Sequence, residues 1–242
     1  MEFPTPLEKG TLIKRYKRFL ADVEMADGRT LTAHVANSGS MMGLKEPGMT
    51  VWLSRSDNTK RKLPYSWELV EIEDAFVGIN TSHPNGIVAE AIAAGDVPEL
   101  AGYDSLRREV KYGENSRIDI LLSGDNRPDC YVEVKNVTLA RTAAEAEFPD
   151  AVTVRGTKHL RELASMVENG QRAAMFYLIQ RTDCRSFRLA ADIDPDYEAA
   201  FATARAAGVE ILCYDCHITT NGISLGSPVP VIPGSLSVRH DV

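Results

Sequence analysis

The first third of the chain alternates short apolar segments with polar turns, and no stretch there carries the hydrophobic period of a helix. The strand-like segments are residues 10–24, 29–36, 50–54 and 67–72. Several short strands separated by turns, such as the one at Gly28, are typical of a small closed or partly closed barrel. The pattern predicts an OB-type barrel over residues 1–78, and a fragment of a β-sandwich remains an alternative.

From residue 81 onward, helical segments alternate with apolar strands. The predicted helices, each followed by a glycine, are residues 83–94, 157–169 and 195–207. The strand candidates are residues 117–122, 130–137, 173–179 and 209–218. The third helix joins the last two strands, and such a crossover favours parallel neighbours in a mixed sheet covered by helices. Residues 79–242 are therefore predicted to form an α/β domain.

The composition, with 44% hydrophobic and 25% charged residues in 242, is that of an ordinary globular protein and excludes disorder, collagen and coiled coil. No apolar stretch approaches the roughly 20 residues that span a bilayer, so no membrane partner is expected. Residues 1–9 contain acids and prolines where a signal peptide would need a basic start and an apolar segment. We therefore expect a cytoplasmic protein.

The charge is distributed unevenly along the chain. Residues 1–75 contain 11 basic and 11 acidic residues, so the remaining 16 basic and 23 acidic residues carry the whole net charge of -7. This balance argues against a protein that wraps nucleic acid over its entire surface.

The four cysteines are too few for a disulfide framework in a chain of this size. The segment Cys213-Tyr214-Asp215-Cys216-His217 has the spacing of a c-type haem attachment site or of part of a zinc site. Strand alternation would send the thiols of Cys213 and Cys216 to opposite faces, and no second close pair of ligands completes a zinc site. We expect neither haem nor zinc.

The most informative segment is a predicted β-hairpin that carries three charged residues. Two apolar strands, residues 117–122 and 130–135, flank a turn-rich loop. If the hairpin is centred on that loop, Asp119 lies opposite Glu133, and alternation puts Lys135 on the same face as Glu133. Directly opposite residues have Cβ atoms about 5 Å apart, so two carboxylates are predicted to face each other.

Two carboxylates this close repel each other unless a cation lies between them. Mg²⁺, or Mn²⁺ in its place, prefers carboxylate oxygens and retains waters, and a water oriented by the Lys135 ammonium could attack a phosphodiester. Glu90 on the preceding predicted helix could complete the ligand set with Asp119 and Glu133. The alternative is an ion pair between Glu133 and Lys135 on an exposed strand, with Asp119 merely solvated.

At these positions the chain resembles the PD-(D/E)xK nuclease superfamily, whose acidic residue and Glu-x-Lys triplet match Asp119, Glu133 and Lys135. More closely, and over nearly the whole chain, it resembles the sugar fermentation stimulation protein (SfsA) family. This resemblance rests on the following blocks: Lys14-Arg15-Tyr16-Lys17-Arg18-Phe19-Leu20-Ala21-Asp22-Val23, Ala36-Asn37-Ser38-Gly39-Ser40-Met41, Tyr112-Gly113-Glu114-Asn115-Ser116-Arg117-Ile118-Asp119, Tyr131-Val132-Glu133-Val134-Lys135-Asn136-Val137-Thr138 and Phe148-Pro149-Asp150-Ala151-Val152.

The resemblance implies an N-terminal OB-fold domain and a C-terminal PD-(D/E)xK nuclease-like domain of mixed α/β type, with DNA binding and a regulatory role in maltose metabolism. It implies that Asp119, Glu133 and Lys135 are the site residues, with Glu90 as the acid of the helix. Gln180, at the end of its strand, corresponds to a polar position near the site.

A basic cluster in the first domain is a candidate DNA contact. Its cations are Lys14, Arg15, Lys17 and Arg18. Strand alternation would place Lys14, Tyr16 and Arg18 on one face, with Arg15, Lys17 and Phe19 on the other. Cations contact phosphates and an exposed ring can stack on a base, so the cluster predicts DNA binding that is largely independent of sequence.

A second basic group, which includes Arg55 and Arg61, lies in a predicted loop of the barrel and is a further candidate DNA contact. The alternative for both groups is a set of solvated charges on a short barrel. Two hypotheses therefore remain for the protein: a DNA-binding regulator with a nuclease-like scaffold, and a Mg²⁺-dependent DNA nuclease. A pure binder would hold DNA equally well in chelator and leave it uncut.

Overall fold

The computed structural model describes residues 1–113 and 116–232, so Glu114 and Asn115 of the sequence blocks above lie outside the described residues. The strands are β1 (Glu8–Tyr16), β2 (Leu20–Met25), β3 (Thr30–His34), β4 (Thr50–Arg55), β5 (Tyr65–Ile72), β6 (Ala75–Gly78), β7 (Ser105–Tyr112), β8 (Ser116–Ser123), β9 (Cys130–Val137), β10 (Leu139–Thr142), β11 (Glu145–Phe148), β12 (Arg172–Ile179), β13 (Ser186–Leu189), β14 (Glu210–Ile218) and β15 (Ile223–Pro228). The helices are α1 (Pro84–Ala94), α2 (Val154–Glu168) and α3 (Pro195–Ala206). None of these three helices has the length and apolar character needed to cross a membrane.

The first domain is a closed barrel. Its strands are ordered β3-β2-β1-β4-β5-β6, and a bridge between His34 of β3 and Ser66 of β5 closes it. Apolar residues from these strands fill the interior around Trp67, which is fully buried. The OB-type barrel predicted from the sequence is confirmed.

One predicted strand is in fact two. Residues 10–24 form a hairpin in which β1 and β2 pair antiparallel. Lys17 and Arg18 turn the chain between them, with φ angles of 48° and 62°. The prediction that residues 14–19 alternate between the two faces of one strand is therefore wrong for Lys17, Arg18 and Phe19, because β1 ends at Tyr16.

The second domain is built on a six-stranded mixed sheet with the order β15-β14-β12-β9-β8-β7. As the crossover pattern predicts, β12 runs parallel to both β9 and β14. One apolar core lies between this sheet and helices α2 and α3, and a second lies under α1. Cys213 belongs to the first core and Cys216 to the second, so their free thiols lie on opposite faces, as alternation predicts.

Five strands of this domain do not appear in the sequence prediction. β7 pairs with β8 at the edge of the sheet, and most of its side chains are exposed, so it carries no apolar alternation. β10, β11 and β13 form a separate three-stranded sheet, and each has only four residues. β15 adds a mostly exposed edge strand beside β14.

Polar contacts join the two domains. The backbone N–H of Gly78, at the end of the barrel, donates to the carbonyl of Gln180 at 2.9 Å. On the other side, Oδ2 of Asp150 accepts hydrogen bonds from the backbone N–H of Ser40 at 3.0 Å and from its hydroxyl at 2.9 Å. The barrel is thus fixed against the loops that follow β11 and β12.

The start of the chain lies against the second domain, although the predicted division assigns residues 1–78 to the barrel. The amino group of Met1 donates to the carbonyl of Ile223, and the N–H of Phe3 donates to the carbonyl of Asn221. Phe3 is buried in the core under α1. This apolar site accounts for the placement, because burying an aromatic ring is favourable.

Candidate metal centre

β8 and β9 form the predicted hairpin in the predicted register. Ile120 pairs with Val132, and the ladder ends at this pair. Continuing the register by one residue brings Asp119 beside Glu133. The two carboxylates therefore lie at the point where the two strands begin to separate.

Asp119 lies where β8 changes face. Ile118 packs in the core with α2 and α3, whereas Ile120 packs in the core under α1. Residues two apart in a regular strand share a face, so the strand is irregular at Asp119. Its carboxylate accepts hydrogen bonds from the backbone N–H of Val134 at 2.8 Å and from Nδ2 of Asn85 at 2.7 Å. The carboxylate is thus held between β9 and the first turn of α1.

Glu133 is almost completely buried, with 3% of its surface exposed. Its Oε1 accepts a hydrogen bond from Nζ of Lys135 at 2.7 Å and forms a second with Nδ1 of His159. Its Oε2 is buried and has no hydrogen-bond partner among the described residues. Because buried carboxylate oxygens are normally hydrogen-bonded or bound to metal, this oxygen marks a position where a cation fits.

His159 belongs to the site, and the sequence analysis did not single it out. It lies on α2, whose start is capped by the Thr153 side chain accepting from the N–H of Gly156. Nε of Arg155 donates to Nε2 of His159 at 3.3 Å. Nε2 is therefore the acceptor, which leaves Nδ1 as the donor to Glu133. The sequence feature that could have pointed to His159 is its four-residue spacing from Arg155, which places both residues on one face of the helix.

The two carboxyl groups have opposite pKa shifts. Burial and the charge of Glu133 raise the pKa of Asp119 to about 6, against the hydrogen bonds from Val134 and Asn85. For Glu133, burial opposes ionisation, but the hydrogen bond from His159 and the charge of Lys135 hold its pKa below the usual value. Glu133 is thus ionised at neutral pH, and Asp119 ionises at a cost that a bound cation would offset.

Glu90 does not join this centre, contrary to the prediction. Its side chain is 63% exposed and forms an ion pair with the amino group of Met1 at 2.9 Å. Asn85 is the residue of α1 that contacts Asp119. Glu90 lies five positions after Asn85, a rotation of about 140° around the helix axis, so the two side chains point in different directions.

The donor set fits a hard divalent cation that keeps several waters. No group of three or more His, Cys, Asp or Glu side chains arranged for metal binding occurs in residues 1–113 and 116–232. Two carboxylates, Asp119 and the unpartnered oxygen of Glu133, are what Mg²⁺ commonly takes from a protein when water and phosphate supply the remaining ligands. A Zn²⁺ site would need at least three protein ligands, more than these two carboxylates provide.

The basic cluster of the first domain separates into two kinds of residue. Lys14 pairs with Asp22 at 3.5 Å, and Arg15 donates to the carbonyls of Asn37 and Gly39, which are backbone atoms of the barrel. The other cations of the cluster, Lys17 and Arg18, and the neighbouring ring of Phe19 are exposed at the hairpin turn.

Two further predicted residues lie elsewhere. Arg55 and Arg61 are exposed and line a cavity between the barrel and α1. Gln180 is fully buried beside the hairpin, and its Nε2 donates to Oδ1 of Asn136, the residue after Lys135, at 2.8 Å. Its Oε1 has no partner among the described residues. Gln180 thus lies one strand away from the carboxylates.

Two family profiles together match most of the chain. The profile described as the SfsA N-terminal OB domain matches residues 13–79, and the profile described as the sugar fermentation stimulation protein RE domain matches residues 82–222. The matched ranges correspond to the barrel and to the α/β domain.

Full-length relatives agree with these matches. A sugar fermentation stimulation protein homolog of Paramagnetospirillum magneticum is 62% identical, with 95% of this chain and 97% of that protein covered. A homolog from Rhodospirillum centenum is 61% identical, covering 93% of this chain and 97% of that protein. The solved structure of Pyrococcus furiosus SfsA in complex with Ca²⁺ superposes with a TM-score of 0.86 at 26% identity, covering 96% of this chain and 98% of the other.

Proposed function

This chain belongs to the sugar fermentation stimulation protein family, and on that premise we propose that it is a DNA-binding phosphodiesterase that uses a divalent cation held by Asp119 and Glu133. One observation carries the proposal. The unpartnered Oε2 of Glu133 is buried in a hairpin that also presents Asp119 and Lys135. The complex of the Pyrococcus furiosus SfsA with Ca²⁺ supports a divalent cation in this family.

Each side chain has a role that follows from its contacts. Asp119 and the free oxygen of Glu133 would hold Mg²⁺ or Mn²⁺, which when bound acidifies a water and neutralises charge on the phosphate. Lys135 supplies a positive charge beside the reacting phosphate and orients the attacking water. His159 keeps Glu133 ionised and fixes its orientation through Oε1.

The DNA contact we propose is the turn between β1 and β2. Lys17 and Arg18 are exposed there, and Phe19 has 47% of its surface accessible. Two cations and an aromatic ring at one turn suit phosphates and a stacked base, a mode that is largely independent of sequence. Lys14 and Arg15 have structural partners, so we assign them a supporting role.

A second candidate function is DNA binding without cleavage. The ion pair between Lys135 and Glu133 favours it, because this pair already occupies the ammonium that hydrolysis would use. The regulatory role in maltose metabolism that the resemblance implies needs only DNA binding.

A cleavage screen separates the two candidates. Single-stranded, duplex and branched DNA, and RNA, are incubated with the protein in Mg²⁺, in Mn²⁺ and in chelator. The proposal predicts metal-dependent cleavage of at least one DNA substrate, its loss in Glu133→Gln, and full activity in Glu168→Gln, which changes an exposed glutamate on the same helix as His159. Intact substrates in every condition, with DNA retained in chelator, would leave the binding function alone.

A further inference from the structure

A cavity of about 500 Å³, lined mainly by polar residues, lies between the barrel and the start of α1, outside the candidate metal centre. Small-molecule sites typically have volumes of roughly 300–1,000 Å³. The polar side chains on its inner side are Ser54, Ser66, Glu68, Asn80 and His83. Nothing in the proposed hydrolysis uses these groups.

A buried carboxylate lies at the inner end of the cavity. Glu68 is 5% exposed, and it accepts hydrogen bonds from the hydroxyl of Ser54 at 2.6 Å, from Nδ2 of Asn80 at 2.8 Å and from Nε2 of His83 at 2.8 Å. Burying such a polar group gains little stability over an apolar core. The arrangement does supply fixed hydrogen-bonding groups to whatever enters the cavity.

The outer end of the cavity is cationic. Arg55 is exposed, and its guanidinium has no hydrogen bond or ion pair with any residue in the described part of the chain. The guanidinium of Arg61 donates only to the hydroxyl of Ser66, at 3.0 Å, within that part. His34 also lines the cavity, while Asp57 contributes one opposing carboxylate at the rim.

We propose that this cavity binds a phosphorylated sugar moiety, with its phosphate at Arg55 and Arg61 and its hydroxyls at Glu68 and Asn80. Guanidinium groups bind phosphate oxygens through paired, charge-assisted hydrogen bonds. The Glu68 carboxylate can accept from a ring hydroxyl, and the second N–H of the Asn80 amide can donate to one. The Asn80 oxygen is already engaged, because it accepts from the backbone N–H and the hydroxyl of Ser82. A free sugar phosphate and the 5′-phosphorylated end of a nucleic acid strand share this chemistry.

The first turn of α1 connects the cavity with the metal centre. His83, the residue just before α1, contacts Glu68 in the cavity, and Asn85 contacts Asp119. The start of α1 therefore contacts both the buried carboxylate of the cavity and a carboxylate of the hairpin. Binding in the cavity does not depend on hydrolysis, because the cavity residues are distinct from those of the metal centre.

Calorimetric titration in chelator tests the inference without involving the metal centre. The probes are ribose 5-phosphate, ribose, inorganic phosphate, and one oligonucleotide with either a 5′-phosphate or a 5′-hydroxyl. We expect a phosphorylated probe, the sugar phosphate or the 5′-phosphorylated strand, to bind about tenfold or more tightly than its unphosphorylated counterpart and than inorganic phosphate. Whichever phosphorylated probe binds identifies the source.

Variants locate the binding. Arg55→Gln and Arg61→Gln should each lower the affinity for the phosphorylated probe by about tenfold. Arg107→Gln, on the exposed edge strand β7, should leave that affinity unchanged. Both arginines are exposed, so these changes do not threaten the fold. The proposal is overturned if no phosphorylated probe binds, if inorganic phosphate binds equally well, or if the Arg55 and Arg61 variants bind like the parent.

Discussion

Asp119 accepts a hydrogen bond from the backbone N–H of Val134, the residue that follows Glu133, at 2.8 Å. The bond takes the place of the next ladder pair, because pairing of β8 with β9 stops at Ile120. It fixes one carboxylate beside the other at the end of the hairpin. The charge of Glu133 then raises the pKa of Asp119.

Asp119→Asn should stabilise the metal-free protein above pH 7. Burial and Glu133 raise the pKa of Asp119 from 3.8 to about 6, so ionising it costs the folded state up to about 3 kcal/mol. The raised pKa favours the fold below pH 4, and this advantage is lost as the pH rises through 6. Urea unfolding in chelator should show a gain at pH 8 that is about twice the gain at pH 5, because only about half of the ionisation penalty is present at pH 5. Asp96→Asn, at an exposed position, is the control, and an equal effect at both pH values would contradict the assignment.

Metal affinity should fall as the pH drops through 6. A proton on Asp119 competes with the cation, whereas Glu133 stays ionised because its pKa is lowered. Below pH 6 the affinity for Mn²⁺ should decrease by about tenfold per pH unit, and above pH 7 it should be constant. Calorimetric titration between pH 5 and pH 8 measures this. A profile without a break near pH 6 would exclude Asp119 as the titrating ligand.

The basic cluster should contribute to DNA affinity unequally. Removing the exposed cations in the double variant Lys17→Ala, Arg18→Ala should weaken the salt dependence of duplex binding. The slope of the logarithm of the binding constant against the logarithm of the salt concentration should become shallower by about two. Lys14→Ala, which breaks a pair with Asp22, should change that slope less. Fluorescence anisotropy over a range of salt concentrations gives the slopes, and competition with unrelated DNA checks that the binding is largely nonspecific. A slope unchanged in the double variant would place the DNA elsewhere.

The contact between the domains should contribute measurably to stability. Oδ2 of Asp150 accepts from the N–H and the hydroxyl of Ser40 and from the N–H of Met41. Asp150→Ala removes all three bonds and should cost about 2–3 kcal/mol, while Ser40→Ala keeps both amide donors and should cost about 1 kcal/mol. Urea unfolding followed by tryptophan fluorescence and by circular dichroism measures both. Equal losses in the two variants would show that the carboxylate has no special role.

The elements that the sequence predicts well are those with a strong apolar period. The hairpin register followed from two apolar strands around a turn, and the parallel crossover followed from the helix that Asp194 caps and Pro195 begins. β7 was missed because its side chains face solvent at the sheet edge. The stretch 10–24 was predicted as one strand because its turn, at Lys17 and Arg18, contains no glycine or proline.

Only those site residues that lie on one local segment, the hairpin, could be predicted from the sequence. Lys135 and Glu133 lie two residues apart, and alternation alone puts them together. His159 and Asn85 come from two helices whose rotation about their axes depends on tertiary packing, so no local pattern assigns them to the hairpin. The same packing excludes Glu90, whose partner is the amino group of Met1.

Calorimetric titration of Mg²⁺ or Mn²⁺ at pH 7.5 into the parent protein, Asp119→Asn, Glu133→Gln and Lys135→Met tests the central claim most directly. If the two carboxylates hold the cation, each carboxylate variant should lose about tenfold or more in affinity. Lys135→Met should bind the metal as tightly as the parent or more tightly, because it removes a positive charge 2.7 Å from Glu133. The same variant should lose any cleavage activity. If all three variants bind the metal like the parent, Asp119 and Glu133 hold no cation and the account of the site is contradicted.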